Sequence, residues 1–248
     1  KLNEIFYGAL RYEDFRKFPK KFAAVATDLE SGEGVMIDKG SIATAIRESL
    51  SIPSVFAPIR DGERLYVDGG IVRNLPVQDV KVLGADYTIG VNVGDGFTKR
   101  DESKMNLIDV ITDTTTIAGR QEVERQIRML DLYMKPDLTK FESYDFSKVK
   151  ELIAAGEAVA RANIDEIRKL SNPELYEKLE EKRREFRQTW KDEYNITGVV
   201  IEGNKKYTRA YFNKFFPKKL GTLTRLDMEK IVNNIYQNGD FTTVYYEV

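Results

Sequence analysis

Tyr66-Val-Asp-Gly-Gly-Ile-Val-Arg-Asn-Leu-Pro76 sets an acidic side chain, Asp68, between a short β-branched run and a pair of glycines. Without a Cβ, Gly69 and Gly70 can take positive φ, and they let a second piece of backbone or a ligand come close to the carboxylate. Asp-Gly is also among the commonest turn dipeptides, so a simple hairpin turn is the plainer reading of these residues alone. The flanking chain decides between a turn and a site.

Working upstream, Arg64-Leu-Tyr-Val67 reads as a strand, entered through an Asp61-Gly62 hairpin turn. Pro53 and Pro58 bracket Ser54–Ala57 as an extended or looped segment. Gly40-Ser41 opens a helix through Leu50, with Ile42, Ala45, Ile46 and Ser49 at helical spacing. Phe22-Ala-Ala-Val-Ala-Thr27 is a short apolar run suited to a strand covered on both faces, and Val35-Met-Ile37 returns after turn chemistry from Asp28 to Gly34. Downstream, a short helix runs from Val77 to Leu83 and stops at Gly84. Tyr87 to Val93 reads as a buried parallel strand closed by Gly94-Asp95-Gly96. Ser103 to Leu130 is a long helical stretch with Ile108, Ile111, Thr115 and Ala118 on one face, and Leu130–Met134 a last short strand. Ser147 to Leu170 is an amphipathic helix. Strands alternating with helices predict an α/β fold with a largely parallel sheet.

Asn172-Pro173 pairs an N-cap with a proline at the first helical position. The helix that follows is dense in Glu, Lys and Arg, with a thin stripe of Leu175, Leu179, Phe186 and Trp190, and reads as a solvated connector. After Tyr194 the texture changes to a strand (Ile196–Glu202), a short helix (Thr208–Phe216), a second helix capped by Thr224 with Asp227 three residues on, and a strand (Phe241–Val248). That order is β-α-α-β, a small α+β unit. The expected division is 1–171, 172–193 as a linker helix, and 194–248.

Composition narrows the chemistry. The 248 residues are 42% hydrophobic, enough for a packed core, and 39 basic residues nearly cancel 40 acidic ones. That balance argues against a dedicated nucleic-acid binder. No apolar run is long enough for a transmembrane helix and no signal-peptide pattern opens the chain. A start at Lys1 rather than Met suggests a processed product or a fragment. There is no Cys and no His, which excludes disulfides, thiolate chemistry, a Ser-His-Asp triad and His-based zinc sites. Acid–base chemistry must come from Asp, Glu, Lys or Tyr, and no metal or cofactor is expected. Among other candidates, Asp28 sits in turn chemistry, and Asp131 and Asp137 flank a strand and Pro136 as structural residues. Arg60, Arg64 and Arg73 read as partners of surface carboxylates rather than of lipid phosphates. Phe15, Phe18 and Phe56 read as core rather than as an acyl pocket.

Six blocks in order carry a family resemblance: Ala26-Thr-Asp-Leu29 with Gly32; Gly40-Ser-Ile-Ala-Thr-Ala-Ile-Arg-Glu-Ser49; Ile52-Pro53 with Phe56-Ala-Pro58; Asp68-Gly-Gly70; Asn74-Leu-Pro76; and Leu83-Gly-Ala-Asp86. Over roughly residues 22–170 the chain resembles the C-terminal half of a patatin-like phospholipase domain, with Glu48 standing where the family often has a small residue. The resemblance implies a lipid acyl hydrolase, a phospholipase A-type esterase working with a Ser-Asp dyad and no His. Asp68 would be the catalytic base, with Gly69 and Gly70 as motif support. The family's nucleophile lies in a Gly-x-Ser-x-Gly turn, a pattern these 248 residues do not contain. The tail resembles a POTRA domain through Val199-Val-Ile-Glu-Gly-Asn204, Ile231, Ile235-Tyr236 and Asn238-Gly-Asp-Phe241. Together the two resemblances imply a patatin-type autotransporter of Gram-negative bacteria, at the outer membrane, cell surface or secreted, with the POTRA-like part periplasmic. Implied partners are a phospholipid or other lipid ester, a membrane surface, an outer-membrane β-barrel beyond Val248, and a homo-oligomer, but no nucleic acid. The alternative is a non-catalytic periplasmic binding or assembly module acting through the POTRA sheet edge.

Overall fold

Short turns join the strands that carry Asp68, and short turns permit only antiparallel pairing. The computed structural model describes residues 2–10, 12–53, 55–94, 119, 121–141, 146–241 and 244–248. Its main sheet has the order β2-β1-β4-β3, with β1 at Ala24–Asp28, β2 at Gly34–Ile37, β3 at Ile59–Asp61 and β4 at Arg64–Asp68. Every pairing in it is antiparallel, with Ala26 opposite Val35 on one side and Asp68 on the other. The expectation of a largely parallel sheet is therefore corrected for this part of the chain. Gly32 (φ +71°) and Gly62 (φ +57°) supply the left-handed positions of the two turns, and neither connection has length for a crossover.

Parallel pairing occurs in a separate two-stranded sheet, β5 (Ile89–Val91) with β6 (Leu132–Met134). A Cβ at Gly90 would stand 2.3 Å from a Leu130 methyl, so a larger residue there would push that side chain aside. The strand is not buried on both faces as expected: Ile89 and Val91 are exposed. The connection between them includes a described helical stretch at 121–127. The expected Gly94-Asp95-Gly96 turn, apart from Gly94, and most of the expected Ser103–Leu130 helix lie outside the described residues.

Helix α2 (Ile42–Ser49) covers one face of the main sheet. Ser41 caps it by accepting the Thr44 N–H, and Ile42 and Ala45 pack with Phe15 and Ala24. Ahead of it lies α1 (Leu2–Phe6). The amphipathic stretch runs as Val149–Ala162 and Ile164–Lys169, broken at Asn163, whose side chain donates to the Val159 carbonyl (2.8 Å). The charged helix spans Pro173–Gln188, capped by Asn172 as its sequence implies. Its last turn is more than a solvated connector: Phe186 packs on Tyr12 and Phe18, and Trp190 closes over Gly8.

The tail departs from the β-α-α-β expectation. Its first strand is β7 at Glu193–Asn195, not Ile196–Glu202, and it pairs antiparallel with β8 at Thr222–Thr224, which lies between the helical segments. The described part of 241–248 forms no strand. Physically, strand-forming side chains need a ladder partner, and here packing takes them first. Ile196 and Tyr246 join a cluster with Tyr7, Leu10, Ala43 and Tyr194, while Ile201, Phe241 and Val244 pack on Phe212, Ile231 and Ile235. The Thr224–Asp227 capping box forms as expected and starts the helix Arg225–Gln237.

The tail is thus bonded to the first region. Tyr194 OH donates to the Tyr7 carbonyl (3.2 Å), Tyr7 OH to the Leu223 carbonyl (3.2 Å), and Asn3 to the Tyr246 carbonyl (2.6 Å). Thr44 on α2 donates to Glu247 (2.9 Å).

Glu48, on the same helix, is 2% exposed and its Oε1 has no hydrogen-bond partner. Burial, then the charges of Asp61 and Glu247, pushes its carboxyl up to about 7 from 4.5. Between those values the folded chain holds a proton that the unfolded chain has released. Stability therefore falls as pH rises through this window, by on the order of 3 kcal/mol once Glu48 is charged. Glu48→Gln is expected to flatten that slope and to raise the urea midpoint more at about pH 8 than at about pH 5. An unchanged slope would refute this account of Glu48.

Candidate active site

β4 ends at Asp68, and the chain turns at once into α3 (Gly70–Arg73), then through Asn74-Leu75-Pro76 into α4 (Val77–Val82). Gly69 makes the turn possible, though not through positive φ: its φ is −66°. A Cβ at Gly69 would stand 2.2 Å from the Val25 carbonyl oxygen of β1. The expectation of a left-handed glycine is corrected, and that of close backbone approach is met. At Gly70 the missing Cβ leaves room for two side-chain oxygens, Asn74 Oδ1 at 2.9 Å and Asp68 Oδ1 at 3.0 Å from where it would be.

Three bonds fix the Asp68 backbone and carboxyl. Its N–H donates to the Ser51 carbonyl (3.0 Å), and its own carbonyl accepts the Thr27 hydroxyl (2.9 Å). Oδ1 accepts the Gly70 N–H at 2.6 Å, which leaves Oδ2 without a hydrogen-bond partner among the described residues. The side chain is half-buried. Burial raises its carboxyl above the ordinary aspartate range, and the Gly70 N–H opposes that shift. No arginine or lysine pairs with it among the described residues. The arrangement is a carboxylate held at a fixed place, with one oxygen spent on the backbone and the other free to accept a proton.

Ser51 is the member that sequence reasoning missed. It is fully buried, and its hydroxyl donates to the Arg47 carbonyl (2.7 Å) and accepts from the Arg47 guanidinium (2.5 Å). Lying after the helix and before Ile52-Pro53, it holds no recognisable motif, and only the backbone hydrogen bond from Asp68 reveals its link to the site.

The other carboxylates have structural partners. Asp28 accepts the Glu30 N–H (3.0 Å) and faces Arg64 at 3.8 Å. Asp131 accepts both the N–H and the hydroxyl of Thr88, and Asp137 those of Thr139. Arg73 pairs with Asp79 at 2.6 Å, and Arg60 donates to the Glu63 carbonyl. Phe15 is core as expected, while Phe56 is exposed and covered by the Arg47 guanidinium (4.8 Å). Among the described residues, no group of three or more Asp or Glu is placed to hold a metal ion.

Residues 2–81 match the patatin-like phospholipase family. The matched segment runs from α1 through α4 and contains the whole Asp68 turn. An uncharacterized NTE family protein of Mycobacterium tuberculosis is 26% identical over 167 residues, covering 58% of this chain and 29% of that protein. A second mycobacterial NTE family protein is 42% identical over 77 residues, covering 31% and 21%. Lysophospholipase nte1 of Emericella nidulans is 23% identical over 202 residues, covering 72% and 13%. The chain spans less than a third of the length of each of these relatives. Its N-terminal part, residues 2–81, is thus similar to the patatin-like phospholipase family, and longer stretches are similar to NTE family proteins.

In that segment Gly69→Ala should be the most damaging small substitution, since the clash is with backbone that cannot rotate away. It is expected to cost about 2–3 kcal/mol in chemical denaturation, whereas Gly156→Ala, inside the helix Val149–Ala162 and with open space for its Cβ, is expected to stabilise by about 0.5–1 kcal/mol. Equal effects at the two positions would refute the close approach.

Proposed function

We propose that this chain is part of a lipid acyl hydrolase, a phospholipase A-type serine esterase in which Asp68 is the catalytic base. The observation that carries the reading is a half-buried carboxylate whose Oδ1 is held by Gly70 at 2.6 Å and whose Oδ2 has no hydrogen-bond partner among the described residues. In this mechanism the attacking serine comes from a Gly-x-Ser-x-Gly turn in sequence outside these 248 residues. Asp68 takes the serine proton as the hydroxyl attacks the ester carbonyl, and hands it to the departing alcohol oxygen as the ester C–O bond breaks and the acyl-serine forms. A carboxylate again, it then takes a proton from the water that releases the acyl group. An aspartate near its ordinary pKa of ~3.9 is a weak base, and each unit of upward shift is worth about 1.4 kcal/mol of differential stabilisation. Burial supplies that shift in the required direction. Hydrolysis then rises with pH as Asp68 loses its proton.

The POTRA-like tail, the 1–171, 172–193 and 194–248 division, and an outer-membrane location with a barrel beyond Val248 belong to the same proposal. They rest on the tail's motifs and on its separate apolar cluster around Phe212, Ile231 and Ile235.

In the full-length protein, Asp68→Asn should lower kcat for a phospholipid or lysophospholipid ester by at least about 100-fold while the melting temperature stays within a few degrees. A fluorophosphonate should label one serine of the unmutated protein. Full activity of Asp68→Asn would remove Asp68 from the mechanism, and absence of any serine label would remove the esterase reading.

A further inference from the structure

The charges of this chain balance overall, but not locally. Between Gly203 and Leu226 lie seven of its 39 basic residues and none of its 40 acidic ones. Five aromatic residues are interleaved with them: Tyr207, Tyr211, Phe212, Phe215 and Phe216. We propose that the basic and aromatic surface of residues 205–219 docks on membranes that carry anionic lipid.

The geometry gathers this run into one patch. Tyr207 and Tyr211 stack with ring centroids 4.2 Å apart. Lys206 lies over the Tyr207 ring at 4.9 Å, and Lys214 over Tyr211 at 4.2 Å and Phe215 at 4.7 Å. Two cations therefore sit on one stacked pair. Lys205, Lys206, Lys214, Lys218 and Lys219 are all exposed, and none has an ion-pair partner among the described residues. Asp240 lies beside the patch and accepts from Tyr207 OH, Tyr211 OH and the Asn238 amide. Leu220 is exposed at the end of the run. Lysines whose stems lie along aromatic rings, with tyrosine hydroxyls and an exposed leucine beside them, match the polarity gradient of a headgroup layer.

A nucleic acid is the other polyanion that attracts such a patch, and the ring geometry disfavours it. Bases bind by stacking on open aromatic faces. Here the tyrosine rings stack on each other and lie under lysines, so those faces are taken.

The proposal does not depend on the acyl-hydrolase reading, because vesicle binding requires no turnover. The test is flotation of the 248-residue chain with phosphatidylcholine vesicles that contain or lack phosphatidylglycerol. Binding is expected only with phosphatidylglycerol, and weaker at high salt. Each lysine near an anionic surface is worth roughly fivefold in affinity, so Lys206→Gln with Lys214→Gln should weaken binding roughly 30-fold. Lys178→Gln with Lys182→Gln, which removes the same charge from the exposed helix Pro173–Gln188, should leave it unchanged. Equal binding to both vesicles, equal losses in the two double variants, or retention by duplex DNA without phosphatidylglycerol binding would each overturn the proposal.

Discussion

The approach of Gly69 to the Val25 carbonyl is the contact on which the rest of the first region depends. A strand that ends against its neighbour's backbone must turn sharply, and only a residue without a Cβ can pass at this distance. The turn starts α3 under β1, and the Gly70 N–H at its beginning points back to Asp68. From there Asn74-Leu75-Pro76 leads into α4 and the Arg73–Asp79 ion pair closes the loop. One steric allowance therefore determines the direction of two helices and the position of one carboxylate.

Two carboxylates eleven residues apart show how environment separates roles. Asp79 is buried and paired at 2.6 Å with Arg73, which answers part of its desolvation. Among the described residues Asp68 has no cation beside it and relies on one backbone N–H. Burial raises both. A charge pair is a structural solution, because removing either partner strands the other in a poorly solvated place. A half-buried carboxyl with no cation beside it among the described residues is poised to change protonation, which is what the proposed role of a general base requires.

Local rules were legible in the sequence where a single residue type has one physical use. Ser41, Asn172 and Thr224 cap helices as their types and spacings require, and Asp61-Gly62 turns a hairpin. The Asp-Gly-Gly turn was legible too, though for half the reason: close approach, not positive φ, demands Gly69. Strand pairing was less legible. Phe22–Thr27 reads as a strand covered on both faces because its run is apolar and small; Ala24 to Asp28 are all buried, but that burial is supplied here to an antiparallel strand. Apolar runs such as Ile196–Glu202 state that a segment will be buried without stating whether a ladder or a cluster will bury it. Ser51 was invisible for a further reason: it acts through its carbonyl, which every residue has.

The tail's contacts reach the same centre by packing. Tyr7 and Tyr194 meet edge to face at 5.2 Å, and the Tyr7 hydroxyl, in the cluster they share, is pushed up to about 12 chiefly by burial. That cluster includes Ala43, one residue before Thr44, which donates to Glu247. Both lie on α2, whose far end leads directly into Ser51 and so to the Asp68 N–H. The tail thus steadies the helix that positions the strand end carrying the carboxyl. Glu48 sits on that helix as a buried charge facing Asp61 and Glu247, so the same surface that binds the tail also carries its main electrostatic cost above about pH 7. A small residue at position 48 would remove the cost along with the burial of the long side chain's methylenes, which is why its effect on stability depends on pH rather than on packing alone.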